Sequence, residues 1–253
     1  LPGLIPAFLF AFTVKEPTRL GQAALVKGRA TAAETRKFIA DNRLALGGML
    51  MAGALVILEI YGAAYWHPSL FVRVYEWTPS DYAFYVAMPQ GFCGIVSAYT
   101  SATLTEYFKR KGHPEGVWFT MFIGVVGCTV FGGLAPLMPE ASYALPLLYA
   151  KSLFVNYPPA AAMTAVNEVT PNEHRGFVTS LYVILTGLVA QGLGPFSVGF
   201  TTDNVFGDPL AIGQSVSLIV FITGAAGAIL LLYARSAYRS AVLNVSWEPA
   251  VKA

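Results

Sequence analysis

The chain has 253 residues, of which 55% are hydrophobic and only 12% charged, with a net charge of +2. A soluble domain carries about a quarter charged residues, so this composition excludes a water-borne enzyme and points to a surface that faces lipid. The lack of a basic block excludes a nucleic-acid binder, and two cysteines in apolar stretches, Cys93 and Cys128, exclude a disulfide scaffold.

Residues 1–14 are apolar but shorter than the roughly 20 residues that a bilayer needs. They have no basic lead and no cleavage site of small residues. They read as the end of a preceding transmembrane helix, which makes the chain a fragment. Residues 15–43 form a linker. In it Thr31-Ala32-Ala33-Glu34 writes a capping box ahead of Phe38 and Ile39, which predicts a short helix on the inner membrane surface. The competing reading is a flexible linker.

Six stretches are long and apolar enough to span: 44–64, 82–108, 118–137, 145–165, 177–200 and 212–233. The expected fold is therefore an all-α membrane protein, a six-helix bundle over 44–235 with a tail at 236–253. Thr78-Pro79-Ser80-Asp81 opens the second span and Thr170-Pro171-Asn172-Glu173 the fifth. Each offers a threonine cap, proline at the first helical position and an acid at the third. Residues 15–43 hold seven Lys or Arg, and Lys109, Arg110, Lys111, Arg175, Arg235, Arg239 and Lys252 fall on the same side, against Arg73 alone opposite. The positive-inside rule makes the richer side cytoplasmic, with both ends of the bundle inside, as an even number of spans requires.

Charged and polar residues inside lipid are expensive and mark function. Glu59 in the first span and Lys151 in the fourth lie roughly 8–9 Å below the outer edge by helix rise. Equal depth and opposite charge allow an ion pair or a shared cavity; snorkelling of Lys151 is the alternative. Asn156-Tyr157-Pro158-Pro159 lies inside the fourth span, where two prolines remove backbone donors. It reads either as a cavity-lining hinge, with Asn156 and Tyr157 as ligand contacts, or as a fixed kink. Gln191-Gly192-Leu193-Gly194-Pro195 in the fifth span has the same character, as has Gln90 in the second, while Gly94, Ala98 and Ala102 form a small-residue packing stripe.

The second span ends Leu104-Thr105-Glu106-Tyr107-Phe108 and the fifth Thr201-Thr202-Asp203-Asn204-Val205-Phe206. One ends inside and the other outside, which suggests two inverted three-helix repeats, a transporter plan. His67, His113 and His174 lie far apart, in loops or at span ends. No metal cluster, nucleophile elbow or P-loop is present. The expectation is no enzyme, no cofactor and no nucleic-acid partner.

Gly94 with Leu104-Thr105-Glu106-Tyr107-Phe108-Lys109-Arg110-Lys111-Gly112 resembles the loop between the second and third helices of a half in the major facilitator superfamily. Glu106 stands where that family usually has Asp. Residues Phe12 to Arg19 resemble the end of its sixth helix and the start of its central loop. Tyr61-Gly62-Ala63-Ala64-Tyr65-Trp66-His67-Pro68, with Leu70 and Arg73, is similar to spinster-like bacterial transporters, as is Thr170-Pro171-Asn172-Glu173-His174-Arg175-Gly176 with Gly192-Leu193-Gly194-Pro195.

The resemblance implies the carboxyl-terminal half of a twelve-helix, alternating-access transporter, proton-driven or facilitated, in a bacterial inner membrane. Its partners would be protons, the bilayer, an amino-terminal six-helix half and an amphiphilic or anionic substrate such as a lysophospholipid or sphingosine phosphate. It places Glu59, Tyr61, Lys151, Asn156 and Tyr157 on cavity-lining helices, and Gln191 joins them as a candidate cavity residue from its polar character inside the fifth span. Glu106, Arg110, Pro158, Pro159, Gly194 and Pro195 become gating or hinge positions. A carrier of small organic anions and a membrane scaffold or self-assembling half-transporter are the alternatives.

Overall fold

A computed structural model describes residues 12–13 and 30–244. The expected helix end at 1–14 lies outside the described residues, apart from Phe12 and Thr13, which are helical. Most of the linker and the last part of the tail, 245–253, also lie outside them.

Helix α1 (Ala32–Asp41) opens through the expected capping box. The Glu34 N–H donates to Thr31 Oγ1 at 3.3 Å, and the Thr31 N–H donates to Glu34 Oε2 at 2.7 Å. Its apolar side, Phe38 and Ile39, packs against the main core. Thr35 Oγ1 meets His174 Nδ1 at 2.9 Å, and the Phe38 ring stacks on the His174 ring. The helix is thus docked at the mouth of the fifth span.

Six helical segments, called spans below, follow with short turns between them; among the described residues four of them, the first, third, fifth and sixth, are long and apolar enough to cross a membrane. The first enters through a π-helical turn (Arg43–Gly47) and becomes α2 (Gly48–Arg73). The second runs through Pro79–Tyr82 and a π-helical stretch (Ala83–Ala87) into α3 (Met88–Arg110). The third is α4 (Gly116–Leu134) with a final tight turn. The fourth is two helices, α5 (Ala141–Ser152) and α6 (Tyr157–Val169). The fifth combines α7 (Asn172–Ile184), a π-helical stretch (Leu185–Ala190), α8 (Gln191–Thr201) and a second such stretch (Thr202–Phe206). The sixth is α9 (Ile212–Asn244). Consecutive spans reverse direction, so the second triplet runs opposite to the first, which gives the inverted arrangement read from the sequence.

Three details differ from the sequence reading. The first span runs on to Arg73 rather than ending at Ala64. Pro68 removes the donor that would close on the Ala64 carbonyl, which looks like a terminus. Burial of Leu70 and Phe71 holds the extra turns, with Phe71 edge-on to Tyr75, Trp77 and Tyr82. The Thr78 cap forms, its Oγ1 accepting from the Asp81 N–H at 3.2 Å. The Thr170 cap does not. Thr170 is the last residue of the preceding helix's cap, its Oγ1 is buried without a partner, and α7 starts after Pro171 with no side-chain cap. The third difference lies in the packing stripe: Ala98 and Ala102 are exposed, and the buried face of α3 carries Ser97 and Ser101 instead.

α2 is the centre of the bundle, enclosed by α4, α6, α8 and α9. Its Met49, Ala52 and Val56 join Met121, Val125, Ala162, Val166 and Leu231 in the main core. A second cluster around Leu70, Ile212 and Val216 and a third around Phe71 and Leu148 fill the Arg73 end. The second and fifth spans close one side each and leave long apolar faces uncovered, including Phe92, Ile95 and Tyr99 on α3 and Leu181, Leu188 and Phe196 on the fifth span.

Candidate functional site

The two charges singled out by depth and sign are brought together. Glu59 on α2 is fully buried, and among the described residues neither carboxylate oxygen has a hydrogen-bond partner. Lys151 on α5 is 5% exposed. Gly132 of α4 lies between them: a methyl group built there would stand 3.1 Å from Lys151 Cδ, 3.2 Å from Lys151 Cε and 3.4 Å from Glu59 Oε1. The absence of a side chain at Gly132 leaves room for both. No ion pair joins them, and Lys151 does not snorkel out. Because α2 runs to Arg73 and α5 starts at Ala141, Glu59 lies about 21 Å and Lys151 about 15 Å from those helix ends. Both distances exceed the roughly 8–9 Å read from the sequence, because both helices extend beyond the ends expected for them.

His67 belongs to the same neighbourhood. The sequence reading left it outside a span, whereas α2 carries it two turns beyond Glu59, 3% exposed, with Nε2 unpartnered. The signal that could have found His67 is its i, i+8 spacing from Glu59, which repeats one helix face.

Asn156 and Tyr157 are used by the fold. The fourth span breaks at residues 153–156, and the break is stitched to α3. The Asn156 backbone N–H donates to Ser97 Oγ at 3.1 Å, Asn156 Nδ2 donates to the Gly94 carbonyl at 2.8 Å, and the Tyr157 hydroxyl donates to Thr100 Oγ1 at 3.0 Å. Pro158 is buried and packs with Tyr157 against Gly124 of α4, while Pro159 is half-buried. Freed backbone groups at this depth need protein partners, and Ser97 Oγ supplies one to the Asn156 N–H.

Gly194 and Pro195 fix the crossing of the fifth span over the first. A methyl group on Gly194 would lie 2.5 Å from the Leu58 carbonyl and 2.9 Å from the Gly62 nitrogen. The Trp66 indole N–H donates to the Pro195 carbonyl at 2.9 Å. Gln191, one turn earlier, is exposed on the open side, Gln90 is half-buried, and Tyr61 is half-buried on α2.

At the basic end, the sequence reading picked Glu106 and Arg110, but both are exposed and neither makes an ion pair among the described residues. Their neighbours carry the contacts. Lys109 Nζ lies 2.5 Å from Glu168 Oε1, and the Tyr238 hydroxyl donates to Glu168 Oε2 at 2.5 Å, which ties α3, α6 and α9 together. Buried Glu115 faces Arg235 at 3.5 Å and Arg239 at 3.6 Å, and the Arg235 guanidinium lies over the Trp118 and Phe119 rings. Glu115 and Glu168 went unremarked in the sequence because each is a lone acid beside a turn. Among the described residues no group of three metal-ligating side chains converges.

Comparison with known proteins agrees with this architecture. No curated protein matches the chain. Two solved structures of a bacterial homologue of the human lysosomal transporter Spinster, both inward-facing, share its fold. One, unoccupied, aligns with a TM-score of 0.60 at 16% identity over 98% of this chain and 59% of that one. The other, occupied, gives 0.58 at 17% over 98% and 57%. The chain therefore spans under three fifths of the length of the proteins it resembles, as half of such a fold does. The sequence also matches the description Major Facilitator Superfamily over residues 1–195. A six-span bundle of two inverted triplets and a match across most of its length lead to one conclusion: the chain belongs to the Major Facilitator Superfamily.

Proposed function

We propose that this chain is the carboxyl-terminal half of a secondary, proton-coupled transporter that moves an amphiphilic lipid, such as a lysophospholipid or sphingosine phosphate, by alternating access. It would sit in a bacterial inner membrane with both ends of the bundle cytoplasmic, and an amino-terminal six-helix half would complete it. The observation that carries the reading is the uncovered face along the second and fifth spans. It offers Phe92, Ile95, Tyr99, Leu188 and Phe196, with Gln191 as an exposed polar group among them. Residues 83–105 and 177–202 contain no charged side chain, so this wall suits an acyl chain better than a small anion. Lys151 lies behind the wall, buried against Gly132, and is a poor first contact for a small anion.

The test is uptake by the intact transporter in proteoliposomes, with a short-chain lysophospholipid compared against a small dicarboxylate. Lysophospholipid uptake that falls about tenfold or more in Leu188→Glu, the loss expected when a charge is forced into an apolar contact, supports the reading. Uptake of the dicarboxylate alone would transfer it to the organic-anion class. Transport of neither compound would favour a scaffold.

A further inference from the structure

We propose that Arg235 and Arg239, with Ser236 between them, form a site at the basic end of α9 for the phosphate headgroup of an anionic bilayer phospholipid, of the phosphatidylglycerol type. The site is separate from the cargo proposed above. Leu232, Arg235, Ser236, Arg239, Ser240 and Leu243 line one open cleft on this helix, and their spacing of three and four keeps them on one side of it. The charge in the cleft is not balanced from within. Buried Glu115 faces both arginines, whose side chains are 45% and 57% exposed. Its distances of 3.5 and 3.6 Å exceed the usual N–H to O hydrogen-bond range of about 2.7–3.2 Å. Glu115 thus holds the pair by charge and leaves one positive charge over. Among the described residues neither guanidinium donates a hydrogen bond. Two free guanidinium forks on one side of a helix match the paired oxygens of a phosphate.

The cleft is also preorganised. Arg235 is steadied over the Trp118 and Phe119 rings, and Trp118 is itself fixed by its N–H donating to the Leu231 carbonyl at 2.7 Å and by stacking on Phe122. The serines add a second, independent sign. Ser180, Ser197 and Ser215 donate back to the carbonyl four residues earlier, the common habit of serine in a helix. Among the described residues Ser236 and Ser240 make no such bond and are exposed, so their hydroxyls are free for a ligand. Depth and surroundings favour a lipid over a soluble phosphate. Arg235 and Arg239 stand about 35 and 41 Å along α9 from its start at Ile212. A hydrocarbon layer is about 30 Å thick and about 40–45 Å with its headgroup regions, so both arginines fall at headgroup level. On the same side of α9, Ile222, Ile229 and Leu232 are each more than half exposed and lead away from the arginines into that layer. They offer acyl chains a track that a free phosphate would not use.

The experiment is native mass spectrometry of the intact protein in detergent, given equal amounts of phosphatidylglycerol and phosphatidylcholine. The wild type should retain phosphatidylglycerol in preference. An arginine near a membrane surface is worth about fivefold in binding an anionic lipid. Arg239→Gln should therefore lower the preference about fivefold, and Arg235→Gln combined with it about thirtyfold. Arg36→Gln with Lys37→Gln, which removes two exposed cations of α1, should leave it unchanged. An equal loss in that control, or no loss in the arginine variants, overturns the site in favour of general surface charge. Excess inorganic phosphate, added before desalting, should displace little of the bound lipid; full displacement overturns the lipid assignment. A photoreactive phosphatidylglycerol on the wild type needs no variant to fold. Crosslinks within residues 229–243 support the site, and crosslinks confined to other segments overturn it. Lipid retention is read without transport, so a protein that moves no cargo overturns the function proposed above and leaves this site standing.

Discussion

Gly192 and Gly194 are two residues apart on α8 and stand in opposite surroundings. A methyl group on Gly194 meets the backbone of α2 at Leu58 and Gly62, while one on Gly192 meets nothing within 4 Å. Backbone cannot step aside as a flexible side chain can, so Gly194→Ala should cost about 1–3 kcal/mol of stability. Gly192→Ala should be neutral or stabilising by up to about 1 kcal/mol, because alanine is the better helix former. Thermal melting of the two variants in detergent checks the contrast. Asn156→Ala removes the bond from Nδ2 to the Gly94 carbonyl and should cost about 0.6–1.7 kcal/mol, the range for polar contacts between membrane helices. If the side chain serves this joint, cargo preference measured by competition should not change. At this scale the sequence was a good guide to which residues are unusual and a weaker one to what they touch. Glu59 and Lys151 stood out because a charge in an apolar run has no cheap explanation. Asn156 and Tyr157 stood out equally, but whether such a group faces a cavity or a neighbouring helix depends on helix rotation, which a lone sequence position does not specify.

Helix α1 shows how far local chemistry alone reaches. Its start was legible because a capping box is a contact between residues three apart, and such contacts are written in the sequence order. Its docking on His174 was not legible, because Thr35 and Phe38 meet a residue from the far side of the chain. The Thr31 backbone N–H, followed by the Thr31 hydroxyl, holds the Glu34 carboxyl below its ordinary value of 4.5, with His174 adding a smaller pull. A carboxylate with a lowered value stabilises the folded form above its unfolded titration range and loses that effect as pH falls through its own range. The capped turn should therefore be unaffected between pH 7 and about pH 5 and fray below about pH 4. Amide hydrogen exchange at residues 32–35, corrected for intrinsic rates, should show faster exchange only in the acid range; Glu34→Gln should exchange faster at neutral pH as well. The first span teaches the complementary lesson. Apolar length alone ended this span at Ala64, and only the buried aromatic cluster around Phe71 explains why the helix continues past Pro68.

At the scale of the whole molecule, two ends of the bundle are built differently. The Arg73 end is held by aromatic packing among Phe71, Tyr75, Trp77 and Tyr82, which resists separation by shape. The basic end is held by Lys109, Glu168 and Tyr238 and by Glu115 with Arg235 and Arg239, contacts that break singly. Lys109 is one third exposed, so its pair with Glu168 is worth no more than about 1 kcal/mol. That is enough to shift a balanced equilibrium about fivefold. If the intact protein works by the alternating access proposed above, Glu168→Gln should accordingly move it toward the conformation in which the basic end is open. Single cysteines replacing Tyr99 and Leu188 give the readout, since both side chains lie on the uncovered face of the second and fifth spans. If that face borders the transport path, a water-soluble maleimide reaches both positions in right-side or inverted vesicles, according to the conformation. Labelling from the basic side should rise several-fold in the Glu168→Gln background. If the face borders lipid instead, the water-soluble reagent labels neither and only a lipophilic one does. A cysteine replacing Val125, fully buried in the core, should react with neither reagent in either background, because opening the basic end separates spans at their charged tips while the packing around α2 stays closed.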